Sequence, residues 1–192
     1  MSEMKSALER ALEKAEKLGK LSPEEMRKRK EEEYTPVGRA IADRYLGHGY
    51  SPVLKEEVNR YSGDEQGIVI RATLSRLEEA IGLESDEVAE RAIAGMLTLR
   101  AEGKIEEIGE GIKSLLREYR EARRATYDQE REHLERRERE VLHQLRISGS
   151  AVGEINLKAS EAWARTSQEL RSRFNERLEE LKRQLADSLG AG

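Results

Sequence analysis

The sequence predicts an all-α protein: a small helical bundle followed by a long antiparallel coiled-coil-like helical hairpin. Three observations carry that expectation. Residues 104 to 192 contain no proline and repeat apolar residues at helical spacing, with one interruption at Ser148-Gly149-Ser150-Ala151-Val152-Gly153. Apolar residues make up 36% and charged residues 39% of the 192, against roughly 45–50% and about 25% in ordinary globular domains, so the core must be thin. Each of the three prolines follows a serine or threonine, at Ser22-Pro23, Thr35-Pro36 and Ser51-Pro52. That order places proline at the first helical position, where its missing N–H costs nothing.

Three regions follow in order: a helix pair over 1–33, a compact helical region over 34–103, and the long hairpin over 104–192. In the first, Met4, Leu8, Ala11, Ala15 and Leu18 form a heptad-like stripe that stops at Gly19. A helix of about 15 residues is marginal in water, so this one is expected to dock on the body or on another copy of the chain. Ser22, Pro23 and Glu25 then supply an N-cap, a first-turn proline and the third-position acid of a capping box.

In the compact region, Pro36 is expected to open a helix ending near Leu46, and Pro52 one ending near Tyr61. Gly47-His48-Gly49-Tyr50 reads as the turn between them. A further helix starts at Ser62 or Asp64, carries Ile70, Leu74, Leu77 and Ile81, and stops at Gly82; another, capped by Ser85, carries Val88, Ala92, Met96 and Leu99 and stops at Gly103. The order of elements over 73–109 also resembles a winged helix-turn-helix, in which a short strand would follow Gly103.

The first arm of the hairpin carries Ile105, Ile108, Ile112, Leu115 and Tyr119, and then turns polar all round from 120 to 140. That pattern suits a solvent-bridging helix. The second arm keeps a stripe through Leu170, Phe174, Leu178, Leu181, Leu185 and Leu189. A narrow stripe on so polar a hairpin buries little area, so Leu170, Phe174, Leu178, Leu181 and Leu185 are expected to be the packing face of a homodimer.

Composition excludes several classes of function. With no cysteine, disulfides, thiolate metal sites and cysteine nucleophiles are excluded. No apolar run approaches the ~18 residues that span a bilayer, and the charged opening segment does not read as a signal peptide, so a cytoplasmic protein is expected. A formal net charge of −4 and a pI near 5.7 give no global drive toward nucleic acid. No phosphate-loop motif or other cofactor signature is present.

Four groups of residues are candidate sites. Glu130 with His133 and Glu140 with His143 repeat the Glu-x-x-His spacing that metal-carboxylate helices use, but both copies sit on one helix, ten residues and about 15 Å apart. A solvated helix face is the plainer reading, with carboxylate/His metal binding the alternative. His48 lies between two glycines with no nucleophile beside it in the sequence. The basic runs Arg27-Lys28-Arg29-Lys30 and Arg123-Arg124, with Arg136-Arg137 and Arg139, are each followed by acids, and 113–147 holds ten Lys or Arg against eight Asp or Glu. Residues 61–112 hold five against twelve, a surface that repels phosphate, so nucleic-acid association ranks last. The fourth group is the hairpin tip: Ser148, Gly149, Ser150, Ala151, Val152 and Gly153 either connect two arms or present a docking end.

The expected function is that of a non-enzymatic protein: an oligomeric scaffold or protein-interaction module working through the hairpin, with a protein partner and no cofactor.

Overall fold

A computed structural model describes residues 22–146 and 161–190, and every element within them is helical. In chain order they are α1 (Pro23–His48), α2 (Ser51–Val58), α3 (Gly63–Ala80), α4 (Asp86–Leu99), α5 (Gly103–Gln144) and α6 (Glu161–Gly190). The stripe expected over 4–18 and the tip at 148–153 lie outside the described residues.

α1 starts as its sequence dictates. Ser22 Oγ accepts from the Glu25 N–H at 3.1 Å, and the Ser22 N–H donates to Glu25 Oε2 at 2.7 Å. Donation from the Ser22 N–H, aided by the Ser22 side chain, holds the Glu25 carboxyl below the usual carboxylate range. The helix then passes through Pro36 and runs to His48, whereas the sequence led us to expect two helices that met there. The physical reason lies in the next turn. Proline at 36 removes the N–H that would bond the Glu32 carbonyl, a loss of about 3 kcal/mol inside a helix. Two residues on, buried Gly38 meets α3 so closely that a Cβ there would lie 2.5 Å from the Val69 carbonyl oxygen. The buried Thr73 hydroxyl reaches the Val69 carbonyl at 2.8 Å and the Gly38 carbonyl at 3.1 Å. α1 and α3 form the most extensive helix pair of the fold, and that packing offsets the missing bond. α1 closes on Gly49 (φ 70°), whose N–H donates to the Tyr45 carbonyl at 2.6 Å, so His48 sits in the last helical turn rather than in a loop.

α2 inserts Leu54 and Val58 beneath α4. α4 is capped by Ser85, whose Oγ accepts from the Val88 N–H at 3.4 Å. Tyr45 crosses from α1 to α4, where its hydroxyl donates to the Arg91 carbonyl at 3.0 Å. Gly103 then begins α5, a helix of 42 residues. The strand that a winged helix requires after Gly103 is therefore replaced by helix.

α5 and α6 run antiparallel. Gly111 faces Leu181, Glu118 pairs with Arg177 at 3.0 Å, the Tyr119 and Phe174 ring centroids lie 5.3 Å apart, and Tyr127 and Trp163 meet at 5.1 Å. A single apolar core crosses the boundary expected at 103/104. Ile41, Leu54, Leu77 and Met96 share it with Ile105, Ile112, Leu115, Phe174, Leu178 and Leu185. Phe174, Leu178 and Leu185 are buried, and Leu170 and Leu181 are half-buried against the same core. The stripe we expected to need a second copy is thus covered by α3 and α5 of its own chain. Two polar contacts fix α6 near its C-terminal end: Arg100 donates to the Leu189 carbonyl at 2.5 Å, and Lys182 to the Ile81 carbonyl at 3.4 Å. Among the described residues, no helix is long and apolar enough to cross a membrane.

Candidate functional site

Side-chain burial in α5 stops at Tyr119, yet the helix continues to Gln144 with no buried residue beyond that point. At ~1.5 Å per residue this polar stretch is about 37 Å long. Its lower part carries Arg120, Arg123, Arg124 and Tyr127, at the i, i+3, i+4 and i+7 positions of one face. Opposite them α6 presents Trp163, the sole tryptophan of the chain, 7% exposed and set edge-on to Tyr127 with an interplanar angle of 87°. These five residues line an open cleft of about 580 Å³. A second cleft, of about 600 Å³, shares Arg123 and continues toward the body past Ser167, Gln168, Arg171 and Asn175.

Ion pairs separate structural arginines from available ones. Arg120 pairs with Asp86 at the start of α4, and Arg171 with Glu84 in the preceding loop, so both tie the long helices to the body. Arg177 pairs with Glu118 and lies 5.4 Å from the Phe174 ring centroid. Arg123 and Arg124 are exposed, and among the described residues neither has an ion-pair or hydrogen-bond partner. The sequence led us to expect that the acids following them would balance them. Instead Glu132 and Glu135 pair along their own turns: Arg131 with Glu135 at 3.0 Å, Arg136 with Glu132 at 3.2 Å, and Arg139 with Glu135 at 3.7 Å. Two guanidinium groups, each a fork of donors suited to carboxylate or phosphate oxygens, therefore stand beside an aromatic pair, with no acid among the described residues that line this cleft. Arginine, tyrosine and tryptophan are also the residues that most often carry binding energy in protein interfaces.

Residues 55–187 match the model of a family of unknown function, DUF6657. The chain belongs to that family. The matched stretch takes in every residue of the cleft on both α5 and α6 and leaves α1 outside. No curated protein and no solved structure matches the chain.

The other candidates fare differently. Glu130 is half-buried and His133, Glu140 and His143 are exposed along α5. Among the described residues no three His, Asp or Glu side chains come together in a way that could hold a metal. His48 is exposed and has no second histidine or nucleophile near it in the sequence. The cleft itself was only partly legible in the sequence. The Arg-Arg-x-x-Tyr spacing and the lone tryptophan were visible, but which arginines remain unpaired depends on contacts with α4 and with the loop after α3.

Proposed function

We propose that the protein is a non-enzymatic interaction module that docks a protein partner on the long helical pair, and that the Arg123, Arg124, Tyr127 and Trp163 cleft receives an acidic segment of that partner. The observation that carries this reading is the pair of unpartnered guanidinium groups beside the Tyr127 and Trp163 rings, on a helix that outruns its core by about 37 Å. The body holds the base of both helices through Leu178, Leu185, Ile112 and Leu115, while most side chains of α5 beyond Tyr119 are exposed. A scaffold that worked through a homodimer on the leucine face would have to open that core, so the docking surface belongs on the arm.

Native lysate passed over immobilised wild type and an Arg123→Glu/Arg124→Glu variant tests the proposal. Neither arginine contributes to the core, so the variant folds. A protein retained by the wild type, released by salt and absent from the variant supports the reading. An identical set of retained proteins on both refutes it. Deleting residues 148–153 in parallel asks whether the tip adds a second contact.

A further inference from the structure

The two clefts between α5 and α6 form one channel, because Arg123 lines both, yet their chemistry differs. Toward the body the guanidinium groups and rings give way to neutral polar side chains of α6, among them Gln168, Ser172 and Asn175, over a floor of buried Leu83 and Tyr119. The charges at that end cancel, since Glu84 and Arg171, which both line it, pair with each other. Arg123 is thus the one charge of this lining without an ion-pair partner among the described residues. Gln168 and Asn175 are exposed, stand two turns apart on one face of α6, and make no hydrogen bond among the described residues. Each of these amide side chains can both donate and accept.

Resting on the docking reading above, we propose that the acidic segment received by the cleft is an extended stretch of about six residues. Its acids lie at Arg123 and Arg124, and its uncharged remainder runs toward the body along α6, where Gln168 and Asn175 bond its main chain. The spacing selects that form. Gln168 and Asn175 are ~10 Å apart along the helix axis, which is about three residues of a strand. From Trp163 to Asn175 the path is ~18 Å, or about six residues at ~3.3 Å each. A strand carries N–H and C=O groups open along its length, which amide side chains can bond. A helix would arrive ~10–12 Å wide, with those groups already bonded to one another. The uncharged remainder follows from the lining, because an acid beyond Arg123 would face Glu84 with Arg171 already engaged.

Trp163 is the sole tryptophan, so its emission reads occupancy of the cleft directly. Three capped peptides serve as probes at low salt: two aspartates alone, and the same two aspartates followed or preceded by threonine-alanine-threonine-alanine, in which threonine favours the extended form. One of the longer peptides is expected to bind at least about fivefold tighter than the dipeptide, as two modest hydrogen bonds would give. N-methylation of its threonine and alanine nitrogens should erase that gain. Gln168→Ala/Asn175→Ala should erase it too and leave dipeptide binding unchanged; neither side chain reaches the core, so the variant folds. Arg123→Glu/Arg124→Glu should abolish binding of all three. If neither longer peptide gains over the dipeptide, or if the gain survives either change, the extended mode is overturned while the docking reading stands. Failure of all three peptides to bind the wild type would overturn both.

Discussion

Substituting alanine at Gly38 tests the account of how α1 is held. On helix propensity alone the change should stabilise, because alanine is favoured over glycine in a helix interior by about 1 kcal/mol. The structure opposes that gain with a steric term. The added Cβ would stand 2.5 Å from the Val69 carbonyl oxygen, 2.7 Å from the Ala72 Cβ and 3.1 Å from the Thr73 nitrogen, where ordinary contact begins at 3.4 Å. Two of those three atoms are backbone, so no rotamer change relieves the contact. α1 and α3 must separate by about 0.9 Å at their crossing or rotate, loosening Ile41, Ala42 and Val69 and stretching the Thr73 hydrogen bond to the Gly38 carbonyl. Overpacking of this kind costs ~1–3 kcal/mol, and a rigid obstacle puts it in the upper half of that range. The expected net is a loss of about 1–2 kcal/mol. Gly111→Ala is the control. It lies in the interior of α5, where a Cβ would meet Leu181 Cδ2 at an ordinary 3.7 Å, so it should gain about 1 kcal/mol. Urea unfolding followed by circular dichroism should separate the two variants by about 2–3 kcal/mol. Equal stabilities would refute the claim that close helix contact at Gly38 carries α1 past Pro36.

Three further predictions rest on single contacts. Phe174→Ala removes a buried ring that packs on Tyr119 and lies beneath Arg177, and it should cost ~3–5 kcal/mol in the same assay, with the loss of a helical signal at lower urea as the readout. Arg39→Met breaks the two-pronged pair with Glu79, at 2.7 and 2.8 Å. Both side chains are 45% exposed, so the loss of stability should be small. Because that pair holds the Glu79 carboxyl below its usual range, its contribution is present at neutral pH and fades as the pH falls through the folded-state pKa. Glu78 shows the opposite sign. Burial against α6 pushes its carboxyl up, with Glu179 and Glu79 adding to the rise and Lys182 opposing it. The charged form is thus disfavoured by folding, a penalty present above the folded-state pKa and gone below the usual carboxylate range. Glu78→Gln should therefore raise the urea midpoint at pH 7 and leave it unchanged near pH 3. A lower midpoint at pH 7 would reverse the assignment.

What was legible in the sequence is what local spacing encodes. The capping box at Ser22, the stripe from Ile105 to Tyr119 and the bare stretch after it all follow from neighbours within four residues, and the structure places each as read. Errors arose where a distant helix decided the outcome. Pro36 is a start signal by local rules, yet α3 holds the chain helical through it. Phe174, Leu178 and Leu185 read as an unpaired stripe because the faces that cover them come from residues 77 to 115, far away in sequence. The availability of Arg123 and Arg124 had the same origin: charge balance along a segment does not say which acids are within reach.

The thin core and the long arm have a common cause. A chain with one Phe, one Trp and only 36% apolar residues cannot fill wide gaps between helices, so its helices must approach closely. Glycines make that possible at three crossings. Gly38 admits the backbone of α3, Gly95 the ring of Tyr45, whose Cε1 would lie 2.5 Å from an added Cβ, and Gly109 the side chain of Ile93, at 2.7 Å. Close approach lets small and aliphatic residues reach interior packing density without aromatic bulk. The body needs only the first five turns of α5 for this, since the last buried position is Tyr119. Beyond it Ala122 touches the core and Tyr127 packs on Trp163, but no residue of α5 is itself buried, which is why charged residues crowd there and why Arg123 and Arg124 can stand unpaired at low cost to stability. A substitution series along one face of α5 would expose that division: alanine at Ile112 or Leu115 should cost ~2–5 kcal/mol, whereas alanine at Arg123 or Arg124 should stay within ~0.5 kcal/mol. A comparable loss of stability at the arginines would mean that the arm is bound into the fold and is not free to bind a partner.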